Sequence, residues 1–553
     1  MKNTLKYTFL SALFLGVVAC DVDNTLPEIK GEAENTIPLD KGTADFSKYV
    51  AVGASFTAGF TDNALFKASQ ENSFPNILAK KFAMVGGGTF KQPLMNDNIG
   101  GLLFGGVQNA DGSFGPRLYF NGAGPVGLQA TSTTEVGNIQ TGPFNNMGVP
   151  GAKSYHLGVN GYGALAALPN ANPYFVRMAS SPTASILQDV LAQSPTFFSL
   201  SEIGGNDVLG YALAGGTGVD HNETGNVNPA TYGSADITNS NVFAAAFTGT
   251  VDALTATGAK GVVANLPYIT SLSHFTTVPY APLDPTDASF AAQIPTLNNV
   301  FGAINGVFTA IGVPERAITF STTAASPVVI KDESLDDKKA DIAGALLASP
   351  TFPGFVASFG LPTDTATLQK VAGLLGNYYG QARQATEKDL LVLPSRSIIG
   401  KVNTSSVAYL VGQGLPQTLA GMFSAEGVSL PLEDKWVLTE NEVAKLKSAT
   451  DAYNATIKAV ADAKGLAFVD FNTILQQAST TGLTFDTYNL TTTFVTGGLV
   501  SLDGVHLTGR GYALMANKML EAIDATYGSN FTKGKDGLAK ANNYPTNYSS
   551  TLP

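Results

Sequence analysis

Residues 49–53, Tyr-Val-Ala-Val-Gly, form a short apolar run stopped by a turn signal, and runs of the same kind recur at 197–203, 261–266 and 466–471. Each is preceded by a segment with helical periodicity. Phe243, Phe247, Val251 and Leu254 share one helix face before the third run. Val443, Leu446, Tyr453, Ile457 and Val460 share one before the fourth, with Thr439 and Glu442 as a capping box and Gly465 just past the end. Buried strands alternating with helices admit few solutions. The pattern predicts an α/β fold: a parallel sheet in three layers, with helices on both faces. Long Gly/Ala/Thr/Pro-rich stretches near 85–145, 209–240 and 275–438 separate these elements, so the expectation is one core with large insertions.

The chain carries a single cysteine among 553 residues, which excludes an intrachain disulfide, a Cys-rich zinc site and an iron–sulfur cluster. Cys20 closes the stretch Val17-Val18-Ala19-Cys20 behind a basic segment with Lys2 and Lys6 and an apolar run over 8–19. That run is too short to span a bilayer, which needs ~20 residues. The stretch resembles the bacterial lipobox, which implies a signal peptide over 1–19 and a lipid attached to Cys20. Residues 20–46 are polar, acidic and without apolar period, and read as a flexible tether. The net charge of −11 argues against nucleic-acid binding.

In parallel sheets chemistry collects at the carboxyl ends of strands. The first run leads into Gly53-Ala54-Ser55-Phe56-Thr57-Ala58-Gly59, a serine on a glycine-flanked turn. Taken alone it reads equally as a helix N-cap. The second run ends in Gly204-Gly205-Asn206-Asp207, and a further glycine-bearing turn spans Asn146 to Ala152. Near the far end stands Asp503-Gly504-Val505-His506, whose spacing lets the carboxylate reach one imidazole nitrogen and leaves the other free to take a proton. A capped helix start with an exposed histidine is the alternative for that segment. Phosphate-binding glycine loops are absent from the sequence, and the blocks contain no second acid for a two-carboxylate glycosidase.

These four segments, in this order, resemble the blocks of the SGNH (GDSL-type) hydrolases: serine at Ser55, glycine at Gly151, Gly-x-Asn-Asp over 204–207 and Asp-x-x-His over 503–506. The resemblance covers roughly 47–82, 145–210, 255–272 and 440–527. It implies an SGNH/flavodoxin-like sheet, with Ser55 as nucleophile, His506 as general base and Asp503 as its orienting partner. It further implies an oxyanion hole made by the backbone N–H groups of Ser55 and Gly151 with the side-chain amide of Asn206. No metal or cofactor is called for. Ala54 departs from the family's aspartate beside the serine, which bears on the shape of the turn and not on the triad. The implied activity is hydrolysis of carboxylic esters of lipids or acylated carbohydrates. The alternative is a non-catalytic surface lipoprotein that uses the fold to bind a glycan or partner. The expected partition is a first core part over 47–274, an insertion over 275–438 serving as lid or substrate subdomain, and a second core part with C-terminal tail over 439–553. Lipid anchorage and negative charge together imply the cell envelope, at the outer membrane of a Gram-negative bacterium.

Overall fold

In the computed structural model, which describes residues 36–552, the four apolar runs lie side by side and a fifth strand joins them. The signal peptide, Cys20 and the tether up to residue 35 lie outside the described residues. In chain order the strands are β1 (Tyr49–Gly53), β2 (Asn146–Gly148), β3 (Phe197–Leu200), β4 (Lys260–Ala264) and β5 (Ala467–Val469). Every pairing is parallel, and the order across the sheet is β2-β1-β3-β4-β5. The direction of sheet growth reverses between β1 and β3, so a crevice opens at the carboxyl ends of those two strands.

Three strands end before their apolar runs do. Ile203 and Leu266 are buried beyond the ends of β3 and β4, and Phe471 already begins the next helix. The runs overshoot because burial against neighbouring loops, rather than ladder pairing, keeps those residues apolar. β2 is the converse case, expected only as a turn. It is a three-residue strand opened by a buried asparagine, Asn146, whose amide donates to Thr57 O at 2.9 Å. A strand that short and polar has no periodicity to read.

The flanking helices used below are α1 (Ser55–Ala58), α2 (Phe74–Ala83), α3 (Asn206–Leu213), α4 (Ser240–Thr255), α5 (Glu440–Lys464), α6 (Phe471–Thr480) and α7 (Gly509–Tyr527). Right-handed crossovers put helices on opposite faces on either side of the growth reversal. The packing agrees: α2 lies against α7, and α4 lies against α5. All four apolar residues predicted for one face of α4 are buried, and Phe243 stacks on Tyr453 of α5 with ring centres 4.3 Å apart. Glu442 accepts the Thr439 N–H at 2.7 Å, and Gly465 closes α5 at φ 62°.

The packed chain begins earlier than the boundary at 47. One compact unit starts at Leu39, inside the segment expected to be tether. Ala44 and Phe46 are buried, and the Phe46 ring stacks on Phe82 at 3.9 Å and meets Phe197 edge-on. Two anchoring residues without a repeat leave no trace in a periodicity scan. The 275–438 stretch is not loop. It holds helices Ile294–Ala310, Lys339–Ala348 and Thr365–Tyr379 around its own apolar cluster with Phe301, Ile304 and Tyr379. Arg383 pairs there with Asp332 and Asp389 at 2.7 Å each. Among the described residues no single helix is long and apolar enough to cross a membrane.

Candidate active site

Ser55 is the first residue of α1, directly beyond β1, and its side chain is almost wholly buried. Its Oγ lies 2.9 Å from His506 Nε2, and His506 Nδ1 lies 2.9 Å from Asp503 Oδ2. With a carboxylate on Nδ1, the ring proton sits there and Nε2 is left to accept from the serine hydroxyl. The three residues thus form one unbroken hydrogen-bonded chain. Phe56 and Phe60 cover the imidazole, with ring centres 5.4 and 4.6 Å away.

Asp503 is anchored by more than the histidine. Its Oδ1 accepts from the N–H groups of Val505 and His506 and from the Ser501 hydroxyl, at 2.8, 2.9 and 3.0 Å. Its Oδ2 also accepts from Asn63 N–H at 2.9 Å. Burial by itself would raise this carboxyl. The adjoining His506 and the N–H donors outweigh burial and hold it well below the ordinary carboxylate range. Gly504 makes the tight loop possible: it adopts φ +78°, and a Cβ there would come within 3.0 Å of the His274 backbone nitrogen. The loop is therefore no exposed helix start. It is locked between the 60–64 segment and His274, whose N–H donates to Gly504 O at 3.0 Å.

The other predicted residues gather at the same end of the sheet. β2 pairs with β1, matching Gly148 to Gly53, and Val149 N–H donates to Gly53 O at 3.0 Å. A Cβ on Gly148 would fall 2.3 Å from the Ala58 nitrogen, so only glycine lets β2 lie against α1 this closely. Gly151 lies in the turn that follows directly on this contact. Asn206 opens α3, and its side-chain amide donates to Ala152 O at 2.9 Å, next to Gly151, with one amide hydrogen left over. Asp207 holds the same turn by accepting from Ser154 N–H and its hydroxyl at 2.8 and 2.7 Å. Among the described residues neither Ser55 N–H nor Gly151 N–H is spent on a protein acceptor.

Sequence reasoning missed Glu202. Its Oε1 accepts from the N–H groups of both Ala54 and Thr57, each at 2.7 Å, and so clamps the turn on either side of Ser55. A carboxylate does reach the serine turn, from the end of β3 instead of from position 54. Glu202 sits at φ +48°, a left-handed conformation costly for a glutamate, and its Oε2 is buried without a protein partner. Burial pushes this carboxyl up to about 7, against the lowering effect of the Thr57 and Ala54 bonds. The one available signal was a charged residue inside an apolar strand end. Glu202→Ala leaves two buried N–H groups without acceptors, at ~1–3 kcal/mol each. It is expected to lower kcat about 10- to 100-fold with little change in KM. Glu202→Gln retains an acceptor oxygen and should stay within a few-fold of the parent. Equal losses in both variants would show that the clamp does not position the serine.

Asp62 and Asn63 were also unforeseen. Both adopt positive φ, 51° and 65°, and the Asp62 carboxylate accepts the Leu502 N–H at 3.0 Å while the Ser501 hydroxyl accepts Asp62 N–H at 3.1 Å. The chain after Ser55 is thereby stitched to the loop that carries Asp503. The remaining histidines are packing residues. His156 stacks on Tyr162, and His221 pairs with Asp236 at 2.8 Å while stacking on Tyr232. Among the described residues no group of histidine and carboxylate ligands is arranged to hold a metal ion. No protein-family model, no curated protein and no solved structure matches the chain.

Proposed function

We propose that the protein is a serine hydrolase of carboxylic esters, with the SGNH type of fold and mechanism. The observation that carries this reading is the unbroken chain from Asp503 through His506 to Ser55 at the carboxyl end of β1. The strand order, Asn206 lining the same cavity as Ser55, and its bond to Ala152 beside Gly151 support it.

In the first half-reaction His506 Nε2 takes the hydroxyl proton as Ser55 Oγ bonds to the ester carbonyl carbon. The carbonyl oxygen becomes an oxyanion held by Ser55 N–H, Gly151 N–H and the Asn206 amide. Collapse breaks the bond to the alkoxide, which leaves with the proton from His506. Water then attacks the acyl-serine with His506 again as base, and releases the carboxylic acid. Purified protein should release p-nitrophenolate continuously from p-nitrophenyl esters. Release no faster than spontaneous hydrolysis for every ester from acetate to dodecanoate would reject the reading.

The lipobox-like stretch carries a second part of the proposal, attachment to the cell envelope through a lipid on Cys20. Several acyl chains, each methylene worth ~0.8 kcal/mol, hold a chain on a membrane durably. Cys20→Ser is expected to move the protein from the membrane pellet into the soluble fraction. A variant that still pellets after a high-salt wash would refute the anchor.

A further inference from the structure

Beside Ser55, on the side of Asn206, lies a cavity of about 110 Å³. Its walls include Val208 and Leu209 of α3, Ile474 and Leu475 of α6, and Leu514 and Met515 of α7. The lining is almost wholly apolar, and the catalytic cycle makes no use of it. The lining also includes Lys518, one helical turn beyond Leu514, whose partly exposed ammonium pairs with Glu521 at 2.9 Å.

An apolar cavity that abuts the nucleophile suits one half of an ester better than the other. A sugar ring placed there would bury several hydroxyls with few partners, and each unpaired hydroxyl is costly. An alkyl chain has nothing to satisfy. Resting on the esterase reading, we propose that this cavity seats the alkyl chain of the substrate's acyl group. A dry cavity of ~150 Å³ takes a six-carbon benzene ring, so this one holds roughly four or five carbons beyond the carbonyl. Carbons beyond these gain no further burial in the cavity. The substrate class is therefore esters of medium and longer fatty acids, not acetyl esters.

The test is kcat/KM for p-nitrophenyl esters from acetate to dodecanoate. Burying one methylene is worth about fourfold, so the expected profile climbs on the order of a hundredfold from acetate to hexanoate and then levels. Ile474→Trp, at the cavity wall, should cut the hexanoate-to-acetate ratio at least tenfold. Leu209→Trp, which fills the same cavity from α3, does the same should the first variant fail to fold. A profile that is flat or falls from acetate, or a ratio unmoved in a folded variant, would overturn the cavity assignment while leaving the esterase intact. No hydrolysis of any ester, acetate included, would instead overturn the esterase reading.

Discussion

Ser55→Ala is expected to lower kcat for ester hydrolysis by about 10⁶-fold, because the covalent step has no other nucleophile. The hydroxyl bonds only to His506 among the described side chains, so its removal costs one hydrogen bond, ~1 kcal/mol, and the fold survives. A fluorophosphonate should add a single mass label to the parent, on Ser55, and none to the variant. Labelling at a different serine, or residual turnover within tenfold of the parent, would dismiss Ser55 as the nucleophile.

Asp503→Asn should cost about 10⁴-fold in kcat with KM little changed. The geometry gives the reason. Oδ1 already takes three donors, so the asparagine oxygen must stay there and the new amide group must occupy the place of Oδ2. It then faces His506 Nδ1 as a donor, which drives the ring proton onto Nε2, where it blocks acceptance from Ser55. Asn63 N–H loses its acceptor at the same time, so stability falls as well, by ~1–3 kcal/mol. Near-normal turnover with a lowered melting temperature would mean that the carboxylate only shapes the loop. Because the Asp503 carboxyl is held below its ordinary range, its bonds contribute stability above about pH 4 and lose it only as pH falls toward the depressed value.

Four strands of the sheet were legible because buried parallel strands leave continuous apolar runs, and α4 and α5 because their apolar faces repeat. That Ser55, Asn206, Asp503 and His506 gather at one end of the sheet was legible from the four-block resemblance, since Ser55 taken alone reads equally as a helix N-cap and His506 as part of a capped helix start. What stayed hidden has no local pattern. Glu202 acts on a turn nearly 150 residues away in sequence. Phe46 packs as a single ring, and β2 is three residues long. The cavity is assembled from α3, α6 and α7, none of which marks its inward side chains as pocket rather than core.

The distance between Ser55 and His506 along the chain, 451 residues, has a consequence for how the protein is made. At 5–20 residues per second, synthesis of the histidine trails the serine by on the order of half a minute. The contacts that unite them are among the most non-local the chain can make, and they form only after the closing entropy of a very long loop is met. Until the segment with Asp503, His506 and α7 docks against the strands, Ser55 is an ordinary alcohol. On the proposed esterase reading, the nascent chain therefore carries Ser55 unarmed past every acyl ester it meets, and reactivity appears in one step, with completion of the fold.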